Sequence, residues 1–94
     1  MTTKTNILAL GTTARQSLTV TVEQGDVVSV GVFSSAPAVL ALNERFEVLR
    51  ETPGAPNQVC FLTDKARDTQ LYGPATYHVL SPITSVPFGV FKEV

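Results

Sequence analysis

His78 is the single histidine of the chain and Cys60 its single cysteine, so acid–base or nucleophilic chemistry would have to be built around them. A serine or cysteine nucleophile needs an imidazole within hydrogen-bond reach and a third group to orient the ring. No local signature of that kind surrounds Ser17, Ser29, Ser34, Ser35, Ser81, Ser85 or Cys60. His78 stands between Tyr77 and Val79 in a strand-like run. Strand alternation points it opposite those two, and it is expected to face solvent. Cys60 lies in the apolar run Val59-Cys60-Phe61-Leu62, where a thiol acts as a small buried hydrophobe. A reactive thiol would need exposure and cationic neighbours. The chain is therefore expected to be no enzyme.

Metal, phosphate and sugar chemistry are equally poorly supplied. Asp64 and Asp68 bracket a break that also holds Lys65 and Arg67 and no glycine. Calcium takes six to eight oxygens, usually around a sharp glycine bend, so a solvated hairpin turn is expected there instead. Glu23 and Asp26 around Gly25 are expected as turn residues. One cysteine and one histidine cannot supply a four-ligand zinc site within one chain. The six glycines, at positions 11, 25, 31, 54, 73 and 89, are scattered singly, so no loop cradles a phosphate. The chain has no Trp and only Tyr72 and Tyr77, a thin supply for stacking on sugars, and its phenylalanines are expected in the core. No cofactor and no metal site are expected.

Composition narrows the partners. Seven basic and eight acidic residues give a net charge of −1. Arg45, Arg50, Lys65 and Arg67 all stand among Glu44, Glu47, Glu51, Asp64 and Asp68, so no unpaired basic face for nucleic acid is expected. Charged residues make up 16% of the chain against about 25% in typical domains, and twelve threonines supply much of the polarity. Such a surface suits close contact with protein. The lone cysteine rules out an intrachain disulfide and fits a reducing compartment. Residues 1–6 are polar and residues 7–10 give four apolar residues in a row, short of the roughly 7–15 of a secretory signal or the roughly 20 of a membrane span. Neither export by that route nor membrane insertion is expected.

The elements that would position these residues are short strands. Leu18, Val20 and Val22 alternate with Thr19 and Thr21; Val28, Val30 and Val32 alternate with Ser29 and Gly31. That two-residue period in β-branched residues predicts half-buried strands and opposes helix, and the two runs, joined by the turn at 23–26, form the most secure pair in the sequence. Further strands are expected over residues 6–10, 58–63, 69–72, 76–80 and 88–91, separated by breaks at 11–13, 23–26, 52–57, 64–68, 73–74 and 81–87. Residues 35–50 are ambiguous. Val39, Leu42, Phe46 and Leu49 fall at helical spacing, whereas Phe46 and Val48 alternate with Arg45, Glu47 and Arg50. A loop with one helical turn over 36–42, then a strand over 45–51, is the favoured reading. Gly73-Pro74 breaks a run, and Tyr77 just beyond it can fold its hydroxyl back onto the turn, the tyrosine corner of Greek-key sandwiches.

The expected fold is all-β: one domain over residues 1–94, a small antiparallel β-sandwich or barrel of about seven to eight short strands, Greek-key-like. Met1, Thr2, Thr3, Lys4 and Thr5 are expected as a flexible arm. Phe88, Val90, Phe91 and Val94 are the apolar positions of a final segment with little charge. An edge strand there would be poorly protected against pairing, so the two ends are the candidate interface. The bland alternative is a last strand that simply closes the sheet.

One resemblance covers most of the chain. It runs from Gly11-Thr12-Thr13, through residues 20–33 (VTVEQGDVVSVGVF), to Leu71-Tyr72-Gly73-Pro74-Ala75-Thr76-Tyr77 and Phe88-Gly89-Val90-Phe91. In these turns and strands the chain resembles small virion proteins of tailed bacteriophages. Related sequences more often carry Gly where Ala75 stands. The resemblance implies a capsid decoration or cement protein: a β domain, often trimeric, that clamps neighbouring capsomers without catalysis. It implies a major capsid protein or another virion protein as partner, a place on the capsid surface, and synthesis in the host cytoplasm. A tail or head–tail junction component, or a small carbohydrate-binding accessory domain, are the alternatives. The resemblance transfers no binding residues.

Overall fold

Alternating β-branched residues determine the local structure. A computed structural model describes residues 4–94, and every regular element among them is a strand. In chain order these are β1 Lys4–Gly11, β2 Arg15–Gln16, β3 Val20–Val22, β4 Val27–Phe33, β5 Phe46–Arg50, β6 Asn57–Leu62, β7 Asp68–Tyr72, β8 Ala75–Ser81 and β9 Phe88–Glu93. The valines at 20, 22, 28, 30 and 32 are buried, while Thr21 and Ser29 point outward, as the two-residue period requires.

The strands form two antiparallel sheets. One has the order β1-β9-β4-β7; the other has the order β2-β8-β5-β6, with β3 also paired to β8. The chain is one long hairpin rolled on itself. β5 pairs β6 at its tip, then β4 pairs β7, β3 and β2 pair β8, and β1 pairs β9. Rolling adds the contacts β4 to β9 and β5 to β8. This is the jelly-roll form of the Greek-key sandwich, so the all-β antiparallel expectation holds. Between the sheets Phe46 and Phe88 meet edge to face, with ring centroids 6.4 Å apart. Val30, Val48, Val79, Val90, Leu62 and Leu71 complete the buried layer around them.

The corner behind Gly73-Pro74 closes as expected. The Tyr77 hydroxyl donates to the Tyr72 carbonyl oxygen at 2.7 Å. A Cβ on Gly73 would overlap the carbonyl oxygens of Glu23 and Val22, so glycine is needed there for close approach to the turn after β3. Ala75 needs no such freedom, because it is already the first residue of β8 and pairs with Val22.

Several expectations change. The strands around 20 and 30 are real, but β3 and β4 lie in different sheets, so the turn between them crosses the sandwich. Residues 64–68 likewise carry the chain from one sheet to the other and are no hairpin. Residues 34–45 form turns and bends without the helical turn expected over 36–42, while β5 confirms the strand reading that follows. β2, between the expected break at 11–13 and the run from Leu18, pairs with the end of β8. Among the described residues the free edges are β1 and β7 in one sheet and β6 and the β2–β3 run in the other.

Candidate interaction surface

The expected terminal interface disperses. Met1, Thr2 and Thr3 lie outside the described residues. Lys4 and Thr5 are no arm: they begin β1 and pair with Glu93 and Lys92. Phe88 and Val90 are fully buried, which corrects their reading as surface positions. The reason is topological. β9 is bonded on both sides, by β1 and β4, and its inward side chains fill the core. Phe91 points outward but lies half-buried against Gly31 of β4, and Phe33 lies reciprocally over Gly89. The two rings meet edge to face at 6.3 Å, with the Lys4 ammonium 5.5 Å from the Phe91 ring centre. Of the expected set, Lys4, Thr5 and Val94 are exposed. β1 is a real edge, yet register shifts at Asn6/Leu8 and Leu8/Gly11 distort it. Arg15 donates to the carbonyls of Ala9, Thr13 and Phe88 beside it. Such irregular edges resist strand addition.

His78 is buried, against the solvent-facing expectation. It does point opposite the core, but β8 is an inner strand, and Leu49 packs beside it from β5 and is buried too. Its Nδ1 has no hydrogen-bond partner among the described residues, and the Glu51 carboxylate is 3.8 Å away. Buried Ser17 spends its hydroxyl on the backbone, accepting from the Val79 N–H and donating to the Leu18 carbonyl. Among the described residues the Ser17 hydroxyl is thus bonded to backbone and not to His78. Cys60 packs partly buried against the core, as its surroundings in sequence implied. Among the described residues no three of His, Cys, Asp and Glu cluster as a metal site would require.

The strongest surface feature is at one end of the sandwich, where the connections 12–14, 34–45, 63–67 and 82–87 gather. Strand register puts them together: β1, β4, β6 and β8 all finish there. Hydrogen bonds then tie each connection to the next. The Thr84 N–H donates to the Thr12 carbonyl at 2.9 Å. The buried Glu44 carboxylate accepts from the N–H groups of Ala41, at 2.8 Å, and Ser85, at 2.6 Å. Asp64 accepts from the Leu40 N–H at 3.1 Å and pairs with Arg67, which also donates to the Ala38 carbonyl. These bonds hold both carboxyls below their usual range. For Glu44 the Ala41 N–H is the main cause, followed by Ser85. For Asp64 it is the Arg67 hydrogen bond, then the Leu40 N–H, with Lys65 adding its charge.

This braced end holds aliphatic side chains out in water. Leu42 is 97% exposed, Ile83 75% and Val39 70%, with Leu10 and Val86 less so on the same connections and strand end. Beside Leu42 opens a cavity of about 520 Å³, walled by Leu40, Ala41 and Leu42 and rimmed by Arg45, Asp64 and Lys65. Sequence reasoning missed this surface because Val39 and Leu42 share helical spacing with Phe46 and Leu49 and so resembled core. Ile83 and Val86 sat inside a break with no period at all. The available signal was apolar residues outside any strand alternation.

Comparison with protein-family models, with curated proteins and with solved structures finds no match for this chain.

Proposed function

We propose that this chain is a non-enzymatic structural protein of a phage particle, a capsid decoration or cement protein. In this reading the braced loop end docks on the outer capsid surface and helps hold neighbouring capsomers together. The observation that carries it is Leu42, Ile83 and Val39 standing in water on connections that Glu44, Asp64 and Arg67 lock in place. Loops that carry apolar tips without bracing would lose entropy on docking; these are already ordered. Burying a Leu, Ile or Val side chain yields about 1.5–3 kcal/mol, so three together give an adhesive contact of modest strength per copy. On a particle, many copies add.

Weak surface charge and the sequence resemblance to small virion proteins support the same reading. The jelly roll adds only an analogy, since that fold serves capsid and lectin domains alike. Self-association into a symmetric oligomer, with a trimer favoured, belongs to the proposal. A major capsid protein is the proposed partner, and the particle surface the proposed place.

Cosedimentation of the purified protein with particles that lack it tests this. The expected result is saturable binding in large copy number, in simple ratio to the capsid subunit. Binding in only a few copies would move the protein to the tail or head–tail junction. No association at all would remove the virion reading.

A further inference from the structure

The cavity beside Leu42 combines an aliphatic wall with two cations that form no ion pair among the described residues. Arg45 lies over the Phe61 ring, 4.5 Å from its centre, and Lys65 is exposed on the opposite connection. The rim's own carboxylate is already committed: Asp64 holds Arg67 and the Leu40 N–H. Glu47, two residues along from Arg45, points from β5 and makes no ion pair with it among the described residues. With Asp64 committed to Arg67, Arg45 and Lys65 leave the rim net positive, and an apolar wall with such a rim is complementary to the reverse layout, an apolar side chain next to a carboxylate.

We propose that this cavity receives an acidic residue and an adjoining aliphatic side chain from a segment of the protein on which the domain docks. The aliphatic group packs on Leu40 and Leu42 while the carboxylate lies between Arg45 and Lys65. A protein is favoured over a free small carboxylate because Leu42 itself is the outer wall. A small ligand inside the cavity would leave the outward side of Leu42, and all of Val39 and Ile83, in water. A protein surface covers all of them at once. The inference rests on the docking role proposed above and adds the charge and shape of the partner's contact.

The test uses two arms. In the first, the purified protein is titrated by NMR with a capped Glu-Leu-Leu peptide and with its Gln-Leu-Leu and Lys-Leu-Leu counterparts. Shifts are expected at residues 40–45 and 63–65, strongest for the acidic peptide. Arg45→Gln and Lys65→Gln, both at exposed positions, should each weaken binding about threefold, the size of an exposed ion pair. Equal response to all three peptides, shifts centred elsewhere, or no shift up to about 10 mM peptide would overturn the proposal. In the second arm, particle occupancy is measured for Arg45→Glu/Lys65→Glu, with thermal unfolding to check the fold. Reduced occupancy supports the site. Full occupancy overturns it while leaving the virion role intact. Selective peptide binding without particle association would keep the site and discard the virion role.

Discussion

The Tyr77 hydroxyl reaches across the Gly73-Pro74 turn to the carbonyl oxygen of Tyr72, 2.7 Å away. That bond joins the last residue of β7, in one sheet, to an inner strand of the other. It therefore acts on the seam between the layers. Tyr77→Phe keeps the ring in the core and leaves the carbonyl without this donor. The expected loss is about 1–3 kcal/mol, read as a lower urea midpoint at unchanged slope.

The glycines of β4 and β9 make a sharper comparison. A Cβ on Gly31 would come 2.9 Å from the far edge of the Phe91 ring and 3.1 Å from the Asp68 Cβ, both side-chain atoms. A Cβ on Gly89 would come 2.6 Å from the Leu8 carbonyl oxygen, in the backbone of the paired strand. Gly89→Ala is thus expected to destabilise more than Gly31→Ala, with the latter costing about 1–3 kcal/mol as overpacking does. Thermal unfolding of the two variants side by side checks the order.

Acid should loosen the loop end first. Glu44 and Asp64 have carboxyls held below their usual values in the folded chain. The unfolded chain then binds more protons in acid, so their contribution is present above the unfolded values and is lost as pH falls through the folded ones. Glu44→Gln lacks the charge that Ala41 and Ser85 bind. The gap in Tm between wild type and this variant should be open at pH 7 and narrow below about pH 4. A gap that stays constant with pH would deny the carboxylate its bracing role.

Leu42→Lys and Ile83→Lys alter side chains that are mostly in water. Stability should stay within about 0.5 kcal/mol of wild type. Particle occupancy should fall for both. Occupancy unchanged in the double variant would move the docking surface away from this end.

Strand identity was legible because burial and the two-residue period coincide at Val20, Val22, Val28, Val30 and Val32. The tyrosine corner was legible because Gly73, Pro74 and Tyr77 are each needed for a different physical reason. Sheet membership was not. The turns at 23–26 and 64–68 look the same in sequence whether they fold a hairpin or cross a sandwich, and only long-range pairing decides. That same pairing put β9 in the middle of a sheet and buried Phe88 and Val90. It buried His78 as well, since alternation tells which face a residue takes but not whether neighbours close over it. The loop-end surface was hidden for a different reason. It depends on Glu44 and Asp64 reaching backbone N–H groups on other segments, 41 residues away for Ser85, and no local pattern encodes that.

Hydroxyl-radical footprinting of the protein, free and bound to particles, shows which face of the sandwich docks. Docking by the loop end protects Leu42, Val39 and Ile83 on binding and leaves exposed Tyr72 at the far end unchanged. Protection of Tyr72 and Val94 with Leu42 left fully reactive would contradict it.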